Sequence, residues 1–238
     1  MSLLPKQIHS SWNEFLDKNT LMLLSEIEKA IGDVYSPEKD KILRFLETDV
    51  SEIKIIVLGQ DPYPEAGVAT GRAFEVGTLN SWTEPFRQVS LKNIIRLIYI
   101  TKKGISGYNN IPTYTRIIEE TKCGNFELAE PADLFDSLEK QGVLFLNTYF
   151  TVIPGKPLSH KDVWQNFTEK LLLWISGNNP GLFWFLWGKN AQSFKSFISN
   201  GNFYESRHPM MCSETYPDDF LKSDCIRNTM DIVNWTGL

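Results

Sequence analysis

Residues 55–76, IIVLGQDPYPEAGVATGRAFEV, restrict the fold of this chain more than any other stretch. Ile55, Ile56, Val57 and Leu58 form an apolar run rich in β-branched side chains and without alternation, the pattern of a strand buried on both faces. The run breaks at once into Gly59-Gln60-Asp61-Pro62-Tyr63-Pro64. Open α/β sheets place their sites at such points, where a buried parallel strand ends in a polar turn. Asp61 falls at the strand mouth, with the rigid Pro62 after it and the aromatic Tyr63 beside it. Gly67 and Gly71 let the backbone come close to something flat or small, and Phe74 closes the segment. A lone Asp after a strand is more often a helix cap, so Asp61 acquires meaning only from what joins it.

The same pattern recurs. Residues 143–148 read as a second buried strand ending at Asn147. Residues 182–187 read as a third, breaking at Gly188-Lys189-Asn190. Residues 202–205 read as a fourth, ending in Ser206-Arg207-His208-Pro209. Helical periodicity fills the intervals at 88–102, 131–141, 159–176 and 191–198, and further helices are expected at 7–29 (one helix or two), 38–46 and 218–233. Ile94, Ile95, Leu97 and Ile98 face inward in the first of these, and Trp164, Phe167, Leu171 and Trp174 in the third. This alternation predicts an α/β fold, three layers α/β/α around a central four-stranded, mostly parallel sheet. Right-handed crossovers would bring Asp61, Asn147, Gly188-Lys189 and His208 to one rim. Residues 103–130, with Gly104, Gly107 and Pro112, are expected to form a surface insertion, helical near 114–121, within one domain spanning 1–238.

At 238 residues, 42% hydrophobic and 22% charged, the chain has the composition of a soluble globular protein. No apolar run approaches the length of a membrane span, and residues 1–6 lack the apolar core of a secretory signal. Cys123, Cys212 and Cys225 show no metal-ligand spacing and leave one thiol over. That pattern fits a reducing, intracellular compartment, so a cytoplasmic location without metal or organic cofactor is expected. A net charge of −5 argues against wrapping nucleic acid by bulk charge, though it permits an enzyme that holds a few phosphates locally.

Four motifs then combine: GQDPY at 59–63 with Phe74 at fixed spacing, LFLNTYFTV at 144–152, FLWGKNAQ at 185–192 and RHPM at 207–210. A fifth, SLKNI, lies at 90–94. In order and approximate spacing they resemble the uracil-DNA glycosylase family, its classical branch with a Gly-Gln-Asp-Pro-Tyr loop. The resemblance runs from about residue 54 to residue 210, and Ile8-His9-Ser10-Ser11-Trp12 is similar to the start of the family domain, where His9 is given a structural role.

The resemblance implies hydrolysis of the N-glycosidic bond between uracil and deoxyribose in DNA, by a monomer without cofactor. Asp61 would stabilise positive charge on the sugar and orient or deprotonate a water. His208 would act as a neutral donor to uracil O2, although a lone histidine at a strand end is more often structural. The Asn147 carboxamide would accept from N3–H and donate to O4, a pattern cytosine reverses. Phe74 would stack on the base, Tyr63 would exclude the thymine methyl, and Gln60 would supply backbone or side-chain donors to the base. The target nucleotide must be flipped, by loops that clamp phosphates and an apolar wedge. Those loops fall on Ser90, on Gly188 and Lys189, and on Pro209, Met210, Met211, Cys212 and Ser213. For Ser90 a helix N-cap or first-turn role is an equal alternative.

The clamp is also where this sequence departs from the family. Pro64 stands for a histidine, Lys189 for a serine, and Met210-Met211-Cys212 for Ser-Pro-Leu, so that Cys212 takes the wedge position and Met210 or Met211 could fill its space. Single-stranded DNA is therefore expected to be a comparatively good substrate, with a proteinaceous inhibitor as a possible second partner at the DNA-facing rim. A glycosylase for another modified base, or a catalytically weak DNA- or protein-binding scaffold, are the alternatives.

Overall fold

The computed structural model describes residues 3–238, so Met1 and Ser2 of the expected leaderless N-terminus lie outside the described residues. Four strands, β1 (Ile55–Gly59), β2 (Val143–Asn147), β3 (Phe183–Trp187) and β4 (Asn202–Ser206), form one sheet in the order β2-β1-β3-β4. Every pairing is parallel, with Gly59 beside Asn147, Leu58 beside Leu186 and Trp187 beside Ser206. This register aligns the carboxyl ends of all four strands on one rim. β1 and β2 are buried throughout, whereas β4, at the edge, exposes Asn202 and Glu205.

Alternation along the strands sorts side chains into two cores. Ile55, Val57, Phe145, Phe185 and Trp187 pack on one face against α2 (Val89–Lys103) and α4 (Pro131–Lys140). Ile56, Leu58, Leu146, Trp184 and Leu186 pack on the other against α1 (Lys18–Ile31) and α5 (Lys161–Asn178). The result is the expected three-layer α/β/α arrangement. Each large side chain fully buried in these cores contributes about 1.5–3 kcal/mol. Local signals set the helix ends. Asp17 accepts from the Thr20 N–H at 2.7 Å to cap α1, and Pro131 opens α4.

Four expectations are corrected. Of the one or two helices expected over 7–29, only α1 is an α-helix, and it runs on to Ile31; the other is a 3₁₀ turn at Ser10–Trp12. Residues 38–46 form two 3₁₀ turns, Lys39–Lys41 and Arg44–Glu47, rather than a helix. Ile42, Leu43, Phe45 and Leu46 are all buried there. The expected last helix, 218–233, is also only two 3₁₀ turns, Phe220–Lys222 and Arg227–Thr229. The Asp219 carboxylate accepts from the N–H groups of Leu221 and Ser213, and Ser223 Oγ accepts from that of Cys225, side-chain bonds that compete with a helical ladder. Finally, residues 103–130 are not confined to the surface. α3 (Tyr114–Lys122) buries Ile117 and Ile118, and Phe126 meets Tyr99 of α2 edge to face.

Beyond Gly188, α6 (Lys189–Ser193) is shorter than the helix expected over 191–198. Among the described residues, no helix is long and apolar enough to cross a membrane.

Candidate active site

The rim where the strands end encloses a cavity of about 470 Å³. Gln60, Asp61 and Tyr63 reach it from the end of β1, Asn147 from β2, Gly188 and Lys189 from β3, and His208 from beyond β4. The four strand ends predicted to converge do so. Two turns are stitched together behind them: Thr148 N–H donates to Gly59 O at 3.0 Å, and Tyr149 N–H to Gln60 O at 2.9 Å.

Asp61 is held by two donors. Leu158 N–H donates to Oδ2 at 2.7 Å and Gln60 Nε2 to Oδ1 at 3.1 Å. The Gln60 side chain thus gives one of its two amide donors to the carboxylate while the residue lines the cavity. Leu158 was not foreseen. Its φ of +62° is strained for a branched side chain, and no sequence signal marks it.

Asn147 is buried, yet among the described residues its carboxamide has no hydrogen bond to the protein. An asparagine that merely satisfied a loop would be paired. Gly59 makes room for it: a Cβ there would lie 2.7 Å from Asn147 Oδ1 and 2.6 Å from Ala73 Cβ. Gly59→Ala is accordingly expected to overpack the strand end, costing about 1–3 kcal/mol, and to displace the amide. Urea unfolding and turnover on the substrate proposed below would show both losses, and an amide free to move would show only the first.

Phe74 is buried in the cavity wall with φ +66°, its ring 5.5 Å from that of Trp187 and 6.1 Å from that of His208. A bulky residue in this conformation persists only where its surroundings over-determine it. Burial holds the His208 imidazole below its ordinary value, so it is neutral at pH 7. Met210 N–H donates to Nδ1 at 3.2 Å, which places the proton of the neutral ring on Nε2. His208 therefore offers a neutral N–H donor to the cavity. Gly188 permits its approach, since at φ +92° an added Cβ would lie 2.9 Å from His208 Cβ. Burial raises the Tyr63 hydroxyl well above its ordinary value, so the ring presents a neutral wall. Among the described residues, no group of three or more His, Cys, Asp or Glu is placed to hold a metal ion.

Comparison with known proteins bears on this geometry. The family model described as the uracil DNA glycosylase superfamily matches residues 46–228. A uracil-DNA glycosylase of Escherichia coli O1:K1 is 31% identical over 192 residues, covering 80% of this chain and 72% of its own. The chain belongs to the uracil-DNA glycosylase superfamily.

Solved structures agree on the fold. The wild-type UNG of Nitratifractor salsuginis is 25% identical, with a TM-score of 0.69 over 86% of this chain and 85% of that one. A mimivirus UNG variant in complex with UGI is 19% identical, with a TM-score of 0.63 over 87% of this chain and 71% of that one.

The segments matching the family's phosphate-clamping loops are placed less uniformly. Ser90 is the second residue of α2, with Gln88 at the N-cap, so of the two alternatives it takes the first-turn place and not the N-cap. Ser90 lines the cavity, as do Met210 and the exposed Lys189. Pro209 is buried, its carbonyl accepting from Asn93 Nδ2 at 2.6 Å. Cys212 is no wedge: its Sγ turns inward, 3.2 Å from Pro209 O, and burial pushes the thiol up to about 12. Ser213 lies off the cavity, its N–H given to Asp219 at 2.6 Å. Met210 and Met211 stand out at 57% and 52% exposure, so the apolar element is displaced toward His208. Pro157 and Asn190 also belong to the lining. Asn190 lies inside a motif already legible in the sequence, whereas nothing marks Pro157.

Proposed function

We propose that this chain hydrolyses the N-glycosidic bond of deoxyuridine in DNA, releasing uracil and leaving an abasic site, as in base excision repair. The observation that carries the reading is the unpaired Asn147 carboxamide, set in one cavity with Asp61 and a neutral His208 from two other strand ends. As the bond from C1′ to N1 breaks, its electron pair leaves with the base and the sugar becomes an oxocarbenium ion. His208 Nε2–H stabilises the negative charge at uracil O2, and the Asp61 carboxylate stabilises the cation. Asp61 also orients the water that adds to C1′ and takes its proton. Asn147 accepts from N3–H and donates to O4, while Phe74 stacks on the ring.

The rim favours unpaired DNA. Lys189 is the one lysine or arginine lining the cavity among the described residues, and Val89, Leu158, Met210 and Met211 are apolar and exposed. Few phosphate contacts leave duplex binding weak, while exposed apolar side chains suit unstacked bases. Uracil release from matched single-stranded and duplex oligonucleotides, read by alkaline cleavage at the abasic site, tests both levels. Cleavage at uracil and not at thymine is expected, at least as fast on the single strand. A faster duplex reaction would refute the strand preference, and no cleavage on either would refute the glycosylase reading. The same rim is the surface on which a proteinaceous inhibitor would sit, in the way the mimivirus protein is paired with UGI.

A further inference from the structure

Beneath the turn that carries Phe74 lies a charged network with no place in the chemistry above. Arg72 is only 8% exposed and Glu75 only 7%. The Arg72 guanidinium contacts Glu75 at 3.1 Å and, on α4, Asp136 at 2.7 Å and the carboxylate of Glu139. Arg44 reaches the same Glu139 at 3.6 Å and donates to the carbonyl of Thr70 at 3.3 Å. Ala73 N–H donates to Phe145 O of β2 at 3.2 Å. Gly71 runs so close to the 41–44 turn that an added Cβ would meet Lys41 O at 2.0 Å. Residues 70, 72, 73 and 75 are each tied down, and the residue between the last two is Phe74 at φ +66°.

A buried ion network is expensive to desolvate and is weak grounds for added stability. One carboxylate oxygen, Glu75 Oε2, is buried here without a partner. The arrangement therefore needs a reason other than stability, and the strained phenylalanine it brackets supplies one.

We infer that Arg72 is a positioning residue for uracil excision: by joining Glu75 to α4 it holds Phe74 in the left-handed conformation that presents its ring to the base. This rests on the reading of the cavity as a uracil site. Arg72 touches neither substrate nor reacting atoms and acts only through Phe74.

The test is a cycle between the pair Arg72→Met/Glu75→Gln, which removes the ion pair without leaving a lone buried charge, and Phe74→Ala. Single-turnover uracil release is measured on a single-stranded oligonucleotide, with amide hydrogen exchange over residues 70–77. The pair is expected to slow release about tenfold, the scale of one base–aromatic stack, and by less than about twofold once Phe74 is alanine. It is also expected to speed exchange at Ala73 and Gly77 while β1 stays protected. Equal losses in both backgrounds, or unchanged exchange, would overturn the inference and leave a structural role alone. Arg72→Lys, which keeps the charge but loses the fork, runs through the same cycle with a smaller loss should the pair fail to fold. A wild-type protein that releases no uracil would instead count against the functional reading, and exchange would still decide whether Arg72 holds the turn.

Discussion

Asp61→Asn yields a folded protein whose uracil release falls by at least about a hundredfold, the lower end of what a positioned acid or base contributes. The carboxylate accepts from Leu158 N–H at 2.7 Å and from Gln60 Nε2 at 3.1 Å. An asparagine has one acceptor oxygen and so keeps one of these bonds, and the stability lost is about 1 kcal/mol. What disappears entirely is the negative charge, and with it both the stabilisation of the oxocarbenium ion and the acceptor for the proton of water. Single-turnover release and a urea unfolding curve, run on the same preparation, separate the two effects. A fall of less than about tenfold would remove Asp61 from the chemistry and move the search for a base elsewhere in the cavity.

Asn147→Leu is expected to do the reverse of an ordinary buried substitution: activity goes and stability stays. The carboxamide is buried at 3% exposure, and among the described residues it has no protein partner. The amide opens onto the cavity and makes no bond the fold depends on, so a leucine of similar size leaves no protein group unpaired. Uracil release should drop at least about a hundredfold, because a site built to hydrogen-bond its ligand leaves the ligand's own polar groups unpaired when the partner is removed. The melting temperature should be unchanged or higher. A fall of more than about 4 °C, near 1 kcal/mol for a chain of this size, would mean that the amide serves the fold and not a ligand.

Much of the fold was legible because its signals are local. The four buried strands announce themselves as short apolar runs ending in polar breaks, and β1, β2, β3 and β4 each lie within a residue of where those runs placed them. The expected helix over 218–233 was not legible in the same way. Its apolar residues, including Ile226 and Val233, serve a core assembled from distant segments, and Asp219 and Ser223 take the backbone donors a helix would need. Residues 103–130 read as a surface insertion for the same reason, since the partners of Ile117 and Phe126 are far away in the sequence.

The linear order of residues specified the fold class, the rim and the residue types gathered on it, because strand period, turn chemistry and motif order are properties of neighbouring residues. It also determined that Asp61, Asn147 and His208 would meet, since parallel strands with helical crossovers leave their carboxyl ends together. How each residue is held follows from contacts between separate segments. Gln60 donates to Asp61, an unmarked Leu158 N–H completes its hold, and Cys212 turns inward while Met210 stands at the mouth. Arg72 bolts the turn of Phe74 to α4. Hydrogen bonds and ion pairs depend on distances of a few tenths of an ångström between groups from separate segments, and a linear pattern of residue types does not contain those distances.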